Sequence, residues 1–234
     1  MNQEQFIQAL KEKGIELTNQ QLHQFDMYYQ TLVEWNEKMN LTAITNKEDV
    51  YLKHFYDSLT ISFDYDLNDQ SLCDIGAGAG FPSIPLKIVY PNLKITIVDS
   101  LTKRITFLKH LTDVLELNNV EAISARAEEY AIEHRESFDI VTARAVARLN
   151  ILDELCLPLV KLNGDFITLK GLKAKEELNE AKQGIEKLGG KVTKEVDFTL
   201  TDENDYRSNI FIHKVKATPK IYPRPFGKIK KKPL

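Results

Sequence analysis

The first 66 residues have the hydrophobic spacing of helices. From Leu22 to Leu32, apolar side chains recur at steps of three and four residues, which places them on one face of a helix. Similar spacing predicts a short amphipathic segment at Phe6–Leu10 and a further helix that begins after Asn46 and runs to about Ile61. We therefore expect residues 1–66 to form a helical N-terminal extension.

From Ser71 onward, short apolar segments alternate with amphipathic stretches. The apolar segments are interpreted as strands and the stretches between them as helices. This alternation is typical of a parallel sheet with crossover helices on both faces. The predicted strands are Leu72–Ile75, Lys94–Val98, Val120–Ile123, Phe138–Thr142 and Gly164–Leu169. The predicted helices are Pro82–Val89, Thr102–Leu117, Ala127–His134, Leu149–Val160 and Ala174–Leu188.

The end of the sheet differs from that of a dinucleotide-binding fold. Two further predicted strands, Lys191–Leu200 and Arg207–Val215, are separated only by a polar turn. So short a connection joins antiparallel neighbours, so we expect a terminal antiparallel hairpin. The predicted fold is a single α/β domain over residues 67–216, with the helical extension before it and a tail over residues 217–234.

Length and composition exclude several classes of protein. With 234 residues, 43% hydrophobic and 28% charged, the chain has ordinary globular composition. No apolar run approaches the roughly 18 residues of a membrane span, and the start lacks the basic region of a secretory signal. Cys73 and Cys156 are too few for a disulfide scaffold and lack the spacing of metal ligands. We expect a cytoplasmic protein without membrane or metal partners.

The net charge of −3 conceals a basic C-terminus. Between Lys214 and Leu234 there are eight Lys or Arg and no Asp or Glu, and such a segment suits a phosphate backbone. Four prolines in residues 217–234 are expected to prevent a helix there. Tyr222 and Phe226 offer rings on which bases can stack. A solvated charged segment is the alternative.

A glycine-rich loop, Asp74–Pro82, follows the first predicted strand. Glycine lets a backbone turn tightly and approach a ligand closely. A dinucleotide fingerprint needs glycines at relative positions 1, 3 and 6, but position 6 is Phe81 here. Asp99 ends the second strand, where a carboxylate accepts hydrogen bonds from ribose hydroxyls. The pattern favours a nucleoside cofactor without a pyrophosphate over a plain tight turn. The glycines of the loop are Gly76, Gly78 and Gly80.

This arrangement looks like the cofactor site of Rossmann-like S-adenosylmethionine-dependent methyltransferases, whose sheet also ends in an antiparallel hairpin. That class places its adenine contacts after the third strand, where this chain has Ser124-Ala125-Arg126-Ala127-Glu128. A polar side chain and backbone N–H groups there are suited to the adenine edge. For Glu128 alone, capping of the next helix is an equal alternative.

The end of the fourth strand usually faces the methyl acceptor in this class. The segment Asp139–Arg148 contains no Asp/Asn-Pro-Pro-aromatic tetrad, and no cysteine is placed to attack a pyrimidine. The remaining candidate functional residues in this segment are Arg144 and Arg148, although helix capping is an alternative role for Arg148. These features favour an acceptor that needs orientation rather than deprotonation. Guanine N7 is such an atom, because its lone pair is free in the neutral base.

Several segments together resemble one family. The chain is similar to the small-subunit ribosomal RNA methyltransferase G family, also called glucose-inhibited division protein B, over about Leu17 to Leu234. One departure lies in the tail. Many members have Gly-x-Pro after the second proline, where this chain has Phe226-Gly227-Lys228. In chain order the matching segments are Asn40-Leu41-Thr42, His54-x-x-Asp57-Ser58, the loop Asp74–Pro85, Asp99-Ser100-Leu101-x-Lys103-Arg104, Arg126-Ala127-Glu128, Arg144-Ala145, Leu169-Lys170-Gly171 and Tyr222-Pro223-Arg224-Pro225.

The resemblance implies a Rossmann-like class I methyltransferase that transfers a methyl group from S-adenosyl-L-methionine to N7 of one guanine in the 530 loop of 16S rRNA. The expected partner is 16S rRNA or the small ribosomal subunit, and we expect a monomer. Matching positions imply cofactor contacts at Gly76, Phe81, Ala127, Glu128 and Arg144.

The expected site residues fall into three groups. The cofactor group is Asp74, Gly76, Gly78, Phe81, Asp99, Ser100, Ala127, Glu128 and Arg144. The catalytic group, expected to orient the cofactor or the base, is Arg144 and Lys170. The RNA-binding group is Lys103, Arg104, Arg148, Arg207 and Arg224.

Some alternatives stay open at this point. His54 and Asp57 lie one helical turn apart and are interpreted as a buried hydrogen-bonded pair that docks the N-terminal helices, although an acid–base pair is the alternative. A methyltransferase for another RNA site or a small molecule is a second function, and the basic tail argues against the small molecule. A non-catalytic RNA-binding protein is a third, and the Gly76, Gly78 and Asp99 set argues against it.

Overall fold

The structure, a computed structural model, describes residues 1–200 and 205–234. Its strands are β1 (Ser71–Ile75), β2 (Lys94–Asp99), β3 (Val120–Ser124), β4 (Phe138–Arg144), β5 (Val160–Lys170), β6 (Gly190–Thr199) and β7 (Tyr206–Lys214). They form one sheet in the order β3-β2-β1-β4-β5-β7-β6, in which β1 to β5 are parallel. β7 is antiparallel to both β5 and β6, which confirms the terminal hairpin. The predicted polar turn includes residues 201–204, which lie outside the described residues.

The strand order reverses between β1 and β4. Asp74 of β1 pairs with Ile97 of β2 on one side and Thr142 of β4 on the other, so the carboxyl ends of the three strands share one edge. Ligands of open α/β sheets bind in the crevice outside such an edge, where the order reverses. The fold therefore places the glycine loop at the position of a binding site.

The helices also follow the predicted pattern. Thr18 and Gln21 form a capping box at the start of α2. Ahead of the sheet lie α1 (Gln3–Glu12), α2 (Asn19–Met39), α3 (Lys47–Val50) and α4 (Asp57–Leu59). Between the strands lie α5 (Ser83–Val89), α6 (Thr102–Val114), α7 (Ala127–Glu133), α8 (Leu149–Cys156) and α9 (Ala174–Lys187), and α10 (Phe226–Lys231) lies in the tail.

Two buried clusters cover the two faces of the sheet, because successive side chains of a strand point to opposite faces. Leu72 belongs to one cluster and its neighbour Cys73 to the other. The N-terminal helices contribute Phe6 and Phe25 to the same cluster as Leu72, so they share a core with the sheet. Cys156 joins Cys73 in the other cluster, and both thiols are free and buried.

Two segments differ from the predicted elements. Between α3 and α4 the chain forms a π-helix, Tyr51–Tyr56, which carries His54; such turns occur frequently at functional sites. The expectation that the prolines prevent a helix in the tail is wrong, because α10 begins directly after Pro225 and ends before Pro233. Proline is tolerated at a helix start and just beyond its end, so these residues delimit α10 without breaking it.

Within residues 1–200 and 205–234, no helix has both the length and the apolar character that crossing a bilayer requires. No group of three or more His, Cys, Asp or Glu side chains there is arranged to hold a metal ion.

Candidate functional site: two neighbouring cavities at the carboxyl edge of the sheet

The glycine loop turns sharply away from β1. Gly76 has a φ of +70°, and a Cβ atom there would lie 2.7 Å from Cγ2 of Val146. Gly80 has a φ of +100°, and its Cβ would lie 2.8 Å from the hydroxyl oxygen of Tyr28. That hydroxyl donates a hydrogen bond to the carbonyl of Ala79 at 2.6 Å. Helix α2 therefore holds the loop from one side, and neither glycine leaves room for a side chain.

The buried Asp74 side chain stabilises the two ends of the loop. Its carboxylate is fully buried, and Oδ2 accepts a hydrogen bond from the backbone N–H of Ser83 at 3.1 Å. Burial raises the pKa of the Asp74 carboxyl to about 7, since a buried carboxylate loses its hydration. The side chain thus joins the end of β1 to the start of α5.

Asp99 is fixed by three donors at the end of β2. Its Oδ1 accepts from the N–H of Leu101 at 2.9 Å, and its Oδ2 accepts from the N–H of Gly78 at 3.3 Å and from Arg104 Nη1 at 3.1 Å. Only 4% of Asp99 is exposed. Arg104, expected to bind RNA, therefore lies against the carboxylate expected to bind ribose.

A cavity of about 780 Å³ opens beside these residues, within the size range of small-molecule sites. It is lined by the expected residues Gly76, Asp99, Ser100, Ala127 and Glu128. Its other lining residues are Ile75, Val98, Leu101, Arg104, Ser124, Ala125, Arg126, Glu129, Ala145, Val146, Leu155 and Phe226. We call this the cofactor cavity.

The chemistry of its walls suits a purine nucleoside that carries positive charge. Asp99 presents a carboxylate that accepts hydrogen bonds from hydroxyl groups, and Glu128, 8% exposed, offers a second acceptor. Ala127, Val146 and Leu155 supply apolar surface for a flat base. With Glu129, the cavity has three carboxylates against the two guanidiniums of Arg104 and Arg126, and this excess of negative charge favours a sulfonium over a pyrophosphate. S-adenosylmethionine fits this set of groups.

Phe81 lies between side chains of the N-terminal helices. Its ring stacks on His54, with 4.4 Å between centroids, and on Tyr28 at 5.4 Å. The guanidinium carbon of Arg144 lies 4.9 Å from the same ring centroid. The structure thus packs Phe81, expected to contact the cofactor, against three neighbours at the edge of the site.

A second cavity, of about 390 Å³, shares Ala145 with the first. Ala145 follows β4 and has a positive φ of 57°, so the chain turns there between the two spaces. We call the second space the acceptor cavity. It brings together both expected catalytic residues and one expected RNA contact. Its lining residues are Lys53, His54, Asp57, Arg144, Ala145, Ala147, Leu169, Lys170, Gly171, Glu177 and Arg207.

Arg144, at the end of β4, links the sheet to the N-terminal helical segment beside this cavity. Its Nη1 donates to Asp57 Oδ2 at 2.9 Å and to the carbonyl of Lys53 at 3.1 Å. Its Nη2 lies 3.2 Å from Nδ1 of His54. Arg207 Nε lies 3.3 Å from the other oxygen of Asp57, Oδ1. His54 and Asp57, expected to bond to each other, are therefore linked through Arg144.

His54 is neutral at pH 7. Burial and the nearby Arg144 guanidinium lower the pKa of His54 to about 3. Nδ1 of the ring lies 3.2 Å from both Arg144 Nη2 and the carbonyl oxygen of Lys53, and Nε2 lies 2.9 Å from the hydroxyl of Thr42. Both ring nitrogens are thus engaged within the protein.

Lys170 lies across the acceptor cavity from the helices and is 8% exposed. Its Nζ donates to the carbonyl of Ala147 at 2.7 Å and lies 2.8 Å from Glu177 Oε2. Glu177 also accepts from the backbone N–H of Leu149 at 3.0 Å. The ammonium is therefore held in a fixed position.

The remaining expected RNA contacts lie elsewhere. Arg148 pairs with Glu176 at 2.6 Å and Glu180 at 2.9 Å on α9. Arg224 pairs with buried Glu154 of α8 at 2.6 Å. Lys103 is exposed, with Nζ 3.4 Å from the carbonyl of Met39. Roles in RNA binding for these residues stay predictions.

The site residues predicted from the sequence omit several wall residues, among them Lys53, Glu177 and Phe226. Lys53 lies one helical turn before Asp57, so helical spacing could have revealed it. Glu177 and Phe226 reach the two cavities from α9 and from the tail. No local pattern indicates either placement, because both depend on how distant segments pack.

Comparison with known proteins identifies the family. The sequence model described as rRNA small subunit methyltransferase G matches residues 21–206. The chain belongs to that family. It is 60% identical to a ribosomal RNA small subunit methyltransferase G from Oceanobacillus iheyensis, over all of both chains. It is 58% identical to one from Macrococcus caseolyticus, covering 100% of this chain and 99% of the relative.

Solved structures agree on the fold. A methyltransferase from Aquifex aeolicus, described as SAM-dependent, superposes with a TM-score of 0.57 and 16% identity, covering 78% of this chain and 98% of the other. This similarity confirms the expected Rossmann-like fold. The family model and the curated relatives confirm the resemblance to the methyltransferase G family. As a member of this family, the chain is an S-adenosylmethionine-dependent methyltransferase, and S-adenosylmethionine is its cofactor.

Proposed function

We propose that this methyltransferase transfers the methyl group of S-adenosylmethionine to N7 of a guanine in the 530 loop of 16S rRNA. The observation that carries the proposal is that the cofactor cavity and the acceptor cavity are neighbours, with Ala145 lining both. The first suits a sulfonium nucleoside, and the second is cationic and has its acidic groups paired. Family membership supports the choice of small-subunit rRNA as substrate.

The acceptor cavity favours an acceptor without a proton to lose. S-adenosylmethionine supplies a methyl group on a sulfonium, and the electron pair of the breaking C–S bond goes to sulfur. Guanine N7 offers its lone pair directly, so no base is required. Among the described residues of this cavity, the carboxylates of Asp57 and Glu177 lie in ion pairs. His54, with its pKa near 3, has both nitrogens engaged.

Arg144 and Lys170 are then positioning groups. Neither side chain can accept a proton in its charged form, and Arg144 stays charged at any relevant pH. The guanine O6 lies beside N7 and is the atom that Arg and Lys most often recognise in this base. Two of the three Lys170 donors are directed to Ala147 and Glu177, which leaves a third for such an oxygen. Holding the reacting atoms in line contributes several kcal/mol to catalysis.

Exposed cations around the cofactor cavity would receive the RNA backbone. Arg126 lines the cavity and its side chain is 62% exposed. The tail after Phe226 adds exposed lysines at 228, 230, 231 and 232. We place the protein in the cytoplasm as a monomer, acting on 16S rRNA or on the small subunit that contains it.

The test is to map 7-methylguanine in 16S rRNA from cells with and without this protein. Borohydride and aniline cleave the chain at 7-methylguanine. We expect one scission in the 530 loop that disappears without the protein and returns with the wild-type gene but not with the Arg144→Ala variant. An unchanged scission pattern in cells lacking the protein would refute the proposal.

A further inference from the structure

The C-terminal tail forms part of the cofactor cavity. Phe226, the first residue of α10, is a wall residue of that space together with Leu155 of α8. The same wall includes Ala127 and Glu128, which lie where the adenine contacts are expected. Phe226 is partly buried and packs against the hydrophobic cluster on that face of the sheet. Phe226 therefore lines the same cavity as the expected adenine contacts.

An ion pair to a buried carboxylate anchors the chain two residues before Phe226. Arg224 donates to both oxygens of Glu154, from Nη2 at 2.6 Å and from Nε at 2.9 and 3.1 Å. The backbone N–H of Arg224 adds a bond to Glu154 Oε1 at 2.8 Å. The Glu154 side chain is fully buried. Because Leu155 follows Glu154 directly, the residue that anchors the tail is adjacent to one that lines the cavity.

The tail is fastened on both sides of Phe226. Before it, Arg135 donates to the carbonyls of Tyr222 and of Thr218, the latter at 2.7 Å. After it, Ile229 is fully buried. Leu234 packs so closely on α9 that a Cβ atom at Gly184 would lie 3.0 Å from its own Cβ. So many anchors fit a structural wall better than a segment that is ordered only by RNA.

We propose that Phe226 is a cofactor-binding residue that contacts the purine base, and that residues 217–234 close the nucleoside end of the cofactor cavity. An aromatic ring offers a flat apolar surface, and stacking on it is favourable for any nucleobase. This inference rests on the cofactor assignment in the proposed function. The tail would then have two separate roles. Phe226 contacts the cofactor, and the exposed lysines after it contact the RNA backbone.

The test is calorimetric titration of the full-length protein with S-adenosylhomocysteine. We expect Phe226→Ala to weaken binding roughly tenfold, at the lower end of what base–aromatic stacking contributes. Phe226→Tyr keeps the ring and should restore affinity to within about twofold of wild type. Ile221→Ala is the matched control, because Ile221 belongs to the same tail but is 73% exposed. Its affinity should equal that of wild type.

A fluorescence measurement provides a readout that a purely structural role would not change. The chain has one tryptophan, Trp35, which packs on Phe107 and His110. In a Trp35→Phe background, the Phe226→Trp variant should show quenching when S-adenosylhomocysteine binds. Wild-type affinity in Phe226→Ala, or an unchanged emission of the Phe226→Trp variant at saturation, would overturn the inference. Failure of the wild-type protein to bind would instead overturn the cofactor assignment.

Discussion

Arg144 and Asp57 form an ion pair of 2.9 Å between the end of β4 and the N-terminal helices. The exposed fraction is 14% for the Arg144 side chain and 6% for that of Asp57. Arg207 approaches the same carboxylate from β7 at 3.3 Å. One carboxylate thus orients two guanidiniums of the acceptor cavity, and it links the N-terminal helices to the site.

We expect substitutions of Asp57 and Arg144 to have strongly non-additive effects on the free energy of unfolding. Asp57→Asn leaves two guanidiniums without a full negative charge, and should lower the free energy of unfolding by about 3 kcal/mol or more. In a urea-denaturation cycle with Arg144→Gln, the coupling should be about 1–3 kcal/mol. The control is the exposed pair of Glu34 and Lys38 on α2, whose coupling should not exceed about 0.5 kcal/mol. Additive effects at Asp57 and Arg144 would contradict this account.

Asp99 should be required for cofactor affinity. Asp99→Ala removes a charged acceptor from the cavity and also frees the N–H of Gly78 and the guanidinium of Arg104. We expect calorimetry to show a loss of about 1.5–3 kcal/mol in binding of S-adenosylmethionine. Asp113→Ala, an exposed position on α6, serves as the control. Equal affinity of both variants, with intact folds, would show that Asp99 does not hold the ribose.

Much of this fold is predictable from the sequence for a physical reason. Central parallel strands are buried on both faces, so segments such as Ile95–Val98 are mostly apolar and do not alternate with charged residues. The loop after β1 is recognisable because Gly76 and Gly80 must adopt conformations that side chains exclude. The carboxyl edge of a parallel sheet then brings Asp99 and the loop together. These features depend on residues that are close in sequence or in the sheet.

The partners of the charged residues were harder to predict. His54 and Asp57 are one turn apart, but the residue that joins them, Arg144, comes from β4. Arg148 meets Glu176 and Glu180 only because α8 packs on α9. Such pairings depend on tertiary packing, and local spacing carries no information about it.

Two buried groups should give opposite pH dependences of stability. The pKa of Asp74 is raised to about 7, so its contribution to stability is lost as the pH rises from about 4 to 7. The pKa of His54 is lowered to about 3, so its contribution is lost as the pH falls from about 6.5 to 3. Each titration contributes a slope of at most about 1.4 kcal/mol per pH unit.

Variants of Asp74 and His54 distinguish the two contributions to the pH dependence of stability. Relative to wild type, the free energy of unfolding of Asp74→Asn should rise between pH 4 and 7, whereas that of His54→Gln should fall. Urea denaturation at several pH values measures both differences. If both differences stayed constant over this range, the assigned protonation states would be wrong.

The exposed lysines of the tail should affect RNA binding but not cofactor binding. Lys228, Lys230, Lys231 and Lys232 are exposed, whereas Arg224 is engaged by Glu154. If about three of the four contact phosphates, changing all four to Gln should reduce the log–log salt slope of RNA binding by about two units. Affinity for S-adenosylhomocysteine should stay constant. An unchanged slope would exclude these lysines from the RNA interface.

The most direct test of base-free methyl transfer is the pH dependence of the single-turnover rate at saturating cofactor and RNA. In the proposed mechanism Arg144 and Lys170, which both line the acceptor cavity, orient the substrate without accepting a proton. His54 is neutral over the whole accessible range. We expect the rate to be nearly constant from about pH 6 to 9, without the rising limb that a general base imposes. A tenfold rise per pH unit that disappears in His54→Ala or Asp57→Asn would contradict the mechanism and identify those residues as an acid–base pair.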